Sequence, residues 1–367
     1  METQKIKRLY SIDVFRIICA GMVFLFHSRI HIGINYRIFN NFIGMGHIFM
    51  VAFFMLSGFS LFYVDNERGK FKENAVYPEV WNFIKKRIFN LYPGYIGLFV
   101  VHTLVAIFYY KSFNLKDFVI GLPMELGLFQ SVLVGSFNYL HNGGTWFISC
   151  IFICYIFYPY VAQIVSKNSL KNNLIFLTIL YCISSYAFLP AYKLKFASIY
   201  ANPLLRLVEF TIGVLVAKFF IDDKERNLKS SNWLLVLLAY LILVLSITIG
   251  VHFLPKAVEM YNFIAILCFG CILYLSARLE MIYGFKYFKK TISVFSENTY
   301  AFFLSQFFSW IPAKYLIDNS TFFETHASIK KLVISIIWSL IVTVFFHYGI
   351  EKTCKKILGM CYNKQKA

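Results

Sequence analysis

The residues best suited to chemistry lie close to the N-terminus. Asp13, Arg16 and His27 interrupt an apolar run that starts at Leu9. A charged side chain at bilayer depth is costly, so it tends to face a cavity, pair with another charge or take part in function. Arg16 and His27 are close to three helical turns apart, so on one helix their side chains differ by roughly 20° around the axis and roughly 16 Å along it. They then line one face at two depths. Asp13 precedes Arg16 by three positions, the spacing of an ion pair on a helix surface. The pattern predicts a cavity with a cation near one mouth and an imidazole deeper in, and imidazole is the side chain that exchanges a proton near neutral pH. Snorkelling of Arg16 and His27 to opposite membrane interfaces is the alternative for the same residues.

A second group is Lys85, Lys86 and Arg87, followed by Asn90, Tyr92 and Pro93. Such a run is either an ordinary topology signal or a phosphate site, because Lys and Arg at a cavity mouth hold phosphate through charge-assisted hydrogen bonds. Ser57 and Trp146 are candidates for cavity lining. Trp146 follows Gly143, Gly144 and Thr145, a run that suits close backbone approach or a sugar platform. Arg206 and Glu209 stand three apart and can pair. No phosphate-loop, dinucleotide or His-Glu-x-x-His pattern is present, so no metal site is expected. Most of the eight cysteines sit in apolar runs as small hydrophobes, and Cys268 and Cys271 form a C-x-x-C with no nearby His or charge.

These residues need membrane helices to position them. The chain has 367 residues, 59% of them hydrophobic and 15% charged, with a mean hydropathy of +0.64. Soluble domains carry roughly 25% charged residues, so this surface is too apolar to face water throughout. The expected fold is an all-α polytopic membrane protein, a single domain over residues 1–367. About ten transmembrane helices are expected, over 9–27, 41–64, 91–110, 144–165, 174–189, 203–220, 233–253, 258–276, 292–315 and 332–350. With both termini cytoplasmic, about two thirds of the 36 basic residues fall on the cytoplasmic side. The net charge of +18 therefore reads as orientation, not as affinity for nucleic acid. The stretch Phe118–Leu140 is expected to be external or re-entrant, because a crossing there would invert every later segment. The first run is expected to be a retained span, since Arg16 and His27 interrupt it and no small-residue cleavage site follows.

The motifs in this order resemble the integral-membrane acyltransferase 3 family. The resemblance rests on Leu9–Arg16 through His27, Phe53-Phe54-Met55-Leu56-Ser57-Gly58-Phe59, Lys86-Arg87 to Tyr92-Pro93, Gly144-Thr145-Trp146-Phe147, Arg206 to Glu209-Phe210 with Gly213, Tyr300 to Gln306, and Gly349-Ile350-Glu351-Lys352. It spans essentially the whole chain. Three positions depart from the family pattern: Asn90 stands where a second arginine is usual, Gln306 where a histidine is frequent, and Thr353 where the C-terminal pattern has proline.

The resemblance implies a multi-pass enzyme of the cell membrane. Such an enzyme moves an acyl group, commonly acetyl from acetyl-CoA, to a hydroxyl of a cell-surface or lipid-linked carbohydrate. Acyl-CoA is then a donor substrate and no bound cofactor is expected. The partners are the glycan acceptor and membrane lipids. His27 is expected as general base, Arg16 as organiser of the donor or stabiliser of charge on the thioester oxygen, and Arg87 and Lys86 as ligands of the CoA phosphates. A histidine-borne acyl intermediate is the alternative to direct attack. A transporter or flippase of a lipid-linked sugar or anionic solute is the competing class.

Overall fold

Apolar runs of about 20 residues have one stable form away from water, the helix, because each helix satisfies its own backbone hydrogen bonds. A computed structural model describes residues 7–71, 80–132, 143–186, 200–225, 232–253, 262–319 and 327–357. Among them the chain forms helices and no strand. The long ones, in order, are α1 (Tyr10–Ile32), α2 (Asn40–Gly44) leading into α3 (Phe49–Glu67), α4 (Val80–Phe108), α5 (Leu115–Leu126), α6 (Trp146–Lys167), α7 (Leu170–Tyr186), α8 (Pro203–Glu225), α9 (Trp233–Phe253), α10 (Asn262–Tyr283), α11 (Lys289–Asp318) and α12 (Ala327–Phe345). A π-helical turn, Phe346–Glu351, continues α12.

Among the described residues, six helical stretches are long and apolar enough to cross a membrane: Tyr10–Ile32, Arg37–Glu67, Val80–Phe108, Trp146–Lys167, Ile264–Tyr283 and Ser328–Ile357. The other expected segments coincide with α7, α8, α9 and α11. The described part of α7 has 17 residues, and α9 is apolar over Trp233–Ile249. The other two are long but carry polar groups that face protein. In α8, Arg206 and Glu209 are buried, and in α11 Ser296, Ser305, Gln306 and Ser309 are buried. Ser305 meets Thr343 at 3.0 Å and Ser309 meets Ser339 at 2.8 Å across the α11–α12 contact. Hydroxyls paired between helices act as interhelical glue, whereas a hydropathy average counts them as water-seeking.

The stretch Phe118–Leu140 is partly described. It contains most of α5, a 12-residue helix capped by the Asn114 side chain, which accepts from the backbone N–H of Lys116 and Asp117. Tyr92 and Tyr95 donate to the carbonyls of Leu126 and Glu125, which ties α5 to the middle of α4. Residues 133–140 lie outside the described residues.

The central contact is α3 against α8, the most extensive between any two helices. Two glycines make it possible. A Cβ on Gly58 would fall 2.0 Å from the Phe210 carbonyl oxygen, and one on Gly213 would fall 1.9 Å from the Met55 carbonyl oxygen. Small residues let helix backbones touch where no hydrophobic force drives helices together within lipid. Phe54, Met55 and Phe59 of α3 and Phe210 of α8 are fully buried there. Gly97 plays the same part in α4, where a Cβ would strike Ile350 at 2.2 Å. That close approach brings the π-helical turn, and with it Glu351, against α4.

Candidate active site

One cavity of about 770 Å³ opens among α1, α3, α4, α6, α11 and the end of the last helix. Each helix contributes one face. From α3 and the Arg68 that caps it come Ser57, Ser60, Leu61, Val64 and Arg68, whose members recur about every helical turn and make a single stripe. Helix α4 supplies Phe83, Lys86, Arg87 and Asn90, and α6 supplies Phe147, Ile151 and Tyr155. Thr299, Tyr300 and Phe303 of α11 close another side, with Glu351 and Lys355 beside them.

Charge is distributed unevenly over this lining. Arg16 is held in a network: its Nη1 donates to Asp13 Oδ1 and to Ser296 Oγ, both at 2.8 Å, and its Nη2 donates to Ser60 Oγ at 3.2 Å. Asp13 also receives Arg8 at 2.5 Å, and Arg8 reaches Glu297 at 2.6 Å. The pairing of Asp13 with Arg16 expected from their spacing is therefore present. Lys70 pairs with Asp65 at 2.7 Å, and Lys355 with Glu351 at 2.5 Å. Glu351 also meets His347 Nδ1 at 2.9 Å.

Arg68, Lys86 and Arg87 have no carboxylate partner among the described residues. Arg87 lies over the rings of Phe83 at 5.0 Å and Tyr155 at 5.5 Å. Its Nε is buried and makes no hydrogen bond among the described residues. Stacking of this kind fixes the plane of a guanidinium and leaves its N–H groups for a ligand. Three unpaired cations in one concave site favour a polyanion.

The expected site residues fall into two places. Arg16, Ser57, Lys86 and Arg87 line the cavity together, with Asn90 among them. Ser57 Oγ donates to the Phe53 carbonyl at 2.7 Å. Trp146 does not line it. Trp146 is buried behind the wall, packed on Phe54 and Tyr200 at 6.3 and 4.8 Å between ring centroids, and its neighbour Phe147 faces the cavity instead. His27 also lies outside the lining. It sits on the same helix as Arg16, eleven residues on, with the His31 ring stacked at 5.7 Å and Phe26 at 5.2 Å. His47 approaches Phe26 from the start of α3 at 5.2 Å. His27 therefore belongs to a separate aromatic and histidine cluster that also includes Trp310, stacked on His31 at 5.9 Å.

Between the two places lies a buried ion pair. Arg206 Nη1 donates to Glu209 Oε2 at 2.7 Å, and both side chains are nearly inaccessible. The guanidinium is enclosed by the rings of Phe54, Trp146 and Tyr200 at 5.3–6.0 Å.

Arg68, Tyr155, Lys355 and the four phenylalanines of the lining carried no expected role. Arg68 reads in sequence as a topology charge, yet it continues the Ser57–Ser60–Val64 stripe by four residues. That periodicity was the available signal. The aromatic members, such as Phe147 and Tyr155, are hidden among many other aromatics of the same composition.

The model of the acyltransferase 3 family, described as an acyltransferase domain, matches residues 9–355. No curated protein and no solved structure matches the chain. The match runs from α1 to the last helix, nearly the whole chain, and the protein belongs to the acyltransferase 3 family of membrane acyltransferases.

Proposed function

We propose that the protein transfers an acyl group, acetyl first among candidates, from acyl-CoA to a hydroxyl of a cell-surface or lipid-linked carbohydrate. The observation that carries this reading is the set of cations Arg68, Lys86 and Arg87, without a carboxylate partner among the described residues, in a cavity of about 770 Å³. CoA is a polyphosphate with a long neutral arm ending in the reactive sulfur. Its phosphates suit the basic mouth, and its thioester suits the deeper, apolar part of the cavity. Arg16, held by Asp13, Ser60 and Ser296, then stands beside the arm as a positioned cation.

In this reading His27 accepts the proton of the acceptor hydroxyl. The hydroxyl oxygen bonds to the thioester carbonyl carbon, the carbon–sulfur bond breaks, and CoA leaves as thiolate that takes up a proton. Because His27 lies about 16 Å along α1 from Arg16, the donor and acceptor approach from opposite sides. Ten membrane crossings with both termini cytoplasmic put the basic cavity mouth on the side where acyl-CoA is made and His27 toward an exported glycan.

The test is turnover of labelled acetyl-CoA by the full-length protein in detergent with a surface-glycan fraction as acceptor. Release of CoA coupled to label on glycan oxygen supports the reading. Movement of a lipid-linked sugar across a liposome membrane, with acetyl-CoA untouched, would replace it with the transporter alternative.

A further inference from the structure

Three phenylalanines from three helices meet in the lining of the cavity. Phe53 of α3, Phe147 of α6 and Phe303 of α11 all line it. Their rings form a triangle, with centroids 6.5 Å apart for Phe53–Phe147, 6.5 Å for Phe53–Phe303 and 5.0 Å for Phe147–Phe303. The planes meet at 56–63°, the tilted and edge-on geometry aromatic pairs prefer. Arg68 stands just past the other end of α3 from Phe53, and Lys86 and Arg87 ride on the first turns of α4.

We propose that Phe53, Phe147 and Phe303 are the acyl-length gauge of this cavity, a floor that admits a short acyl chain and turns away a long one. This rests on the acyl-CoA reading above. An acyl-CoA held by its phosphates at Arg68, Lys86 and Arg87 points its other end, the acyl group, inward. That end meets the triangle. The floor is also firmly backed. Phe147 rests on Phe54 at 5.5 Å, and Phe54 rests against the caged Arg206 guanidinium at 5.6 Å. A buried ion pair inside an aromatic cage does not move aside without leaving a charge unpaired, which is strongly unfavourable. Interiors packed in this way reject added volume.

Behind Phe147, ring contacts continue toward the His27 cluster. A series of ring contacts runs from Phe54 through Trp146 and Tyr200 to His47 and Phe26.

The experiment compares acetyl-, butyryl- and octanoyl-CoA for binding and turnover by the purified full-length protein in detergent. The proteins are the wild type, Phe147→Ala and the milder Phe147→Leu, with Phe147→Trp as the opposite change. Wild type should favour acetyl over octanoyl. Each methylene newly buried is worth roughly fourfold in affinity. Phe147→Ala should therefore raise the octanoyl-to-acetyl ratio at least tenfold, Phe147→Leu should raise it less, and Phe147→Trp should lower it. A ratio within twofold of wild type in the folded alanine and leucine variants overturns the gauge while leaving the acyl-CoA reading in place. A wild type that prefers octanoyl-CoA overturns it as well. Failure of the wild type to bind CoA or any of the three thioesters overturns the acyl-CoA reading itself, and the gauge with it.

Discussion

At the scale of single residues, Arg87 and His27 should fail in different ways. Arg87 is stacked on two rings in the cavity wall, with no carboxylate to neutralise it among the described residues. Hydrogen bonds to charged groups contribute about 1.5–3 kcal/mol each. Arg87→Ala should therefore weaken acetyl-CoA binding by roughly ten- to one-hundred-fold, read by calorimetry on the purified protein. An unchanged dissociation constant would remove Arg87 from the phosphate site. His27 stands outside that cavity, so His27→Ala should abolish transfer to the glycan while the donor still binds with its usual affinity. Full acetylation of the acceptor by that variant would end its assignment as base. The residue scale was largely legible beforehand. Asp13 and Arg16 pair as their spacing requires, and so do Arg206 and Glu209, because an i,i+3 contact is settled by helix geometry alone. Trp146 was placed less well. Sequence separates Trp146 from Phe147 by one position, and a one-residue step on a helix turns a side chain by about 100°. The neighbour, not Trp146, meets the cavity.

At the scale of elements, the site depends on how closely α3 approaches α8. Gly213 and Gly58 sit at that crossing with backbone of the opposite helix where a Cβ would go. Gly213→Ala forces the helices apart, and overpacking of this kind costs about 1–3 kcal/mol. Its melting temperature in detergent should fall, and the stripe Ser57–Arg68 should shift with α3, weakening donor binding. Gly21→Ala in α1 is the control, since nothing lies within 4 Å of a Cβ there. Equal stability of the two variants would mean that the α3–α8 contact does not govern the fold. The element scale was legible in outline. The ten expected segments each overlap a helix of the structure, because an apolar run of that length has little choice of backbone form. Their ends were harder to read. Helix α4 begins at Val80, well before the apolar stretch that starts at Leu91, so Lys86 and Arg87 ride on the same rod as Pro93 and Tyr95. Charged residues at a helix end look like a loop in hydropathy, although the backbone hydrogen bonds continue through them.

At the scale of the whole molecule, the basic residues and the cavity point the same way. If ten crossings place both termini in the cytoplasm, single cysteines at Lys7 and Lys356 should react with a membrane-impermeant maleimide only after the membrane is opened. A cysteine at Lys111 should react in intact cells. Labelling of position 7 or 356 from outside would invert the assignment, and the donor would then meet the wrong face.

Composition, run length and charge bias by themselves determined that the protein is helical and apolar, where its helices lie and which side chains pair within one helix. Each of these follows from local geometry or from the cost of exposing polar backbone to lipid, and neither needs a neighbour. Only the tertiary structure decided that Arg16, Ser57, Lys86 and Arg87 share a cavity, that His27 lies outside its lining, and that the rings of Phe53, Phe147 and Phe303 meet in its wall. Those facts depend on the relative rotation of α1, α3, α4, α6 and α11. That rotation is set by which small residues let two backbones touch, an interaction between residues far apart in the chain that no local pattern records.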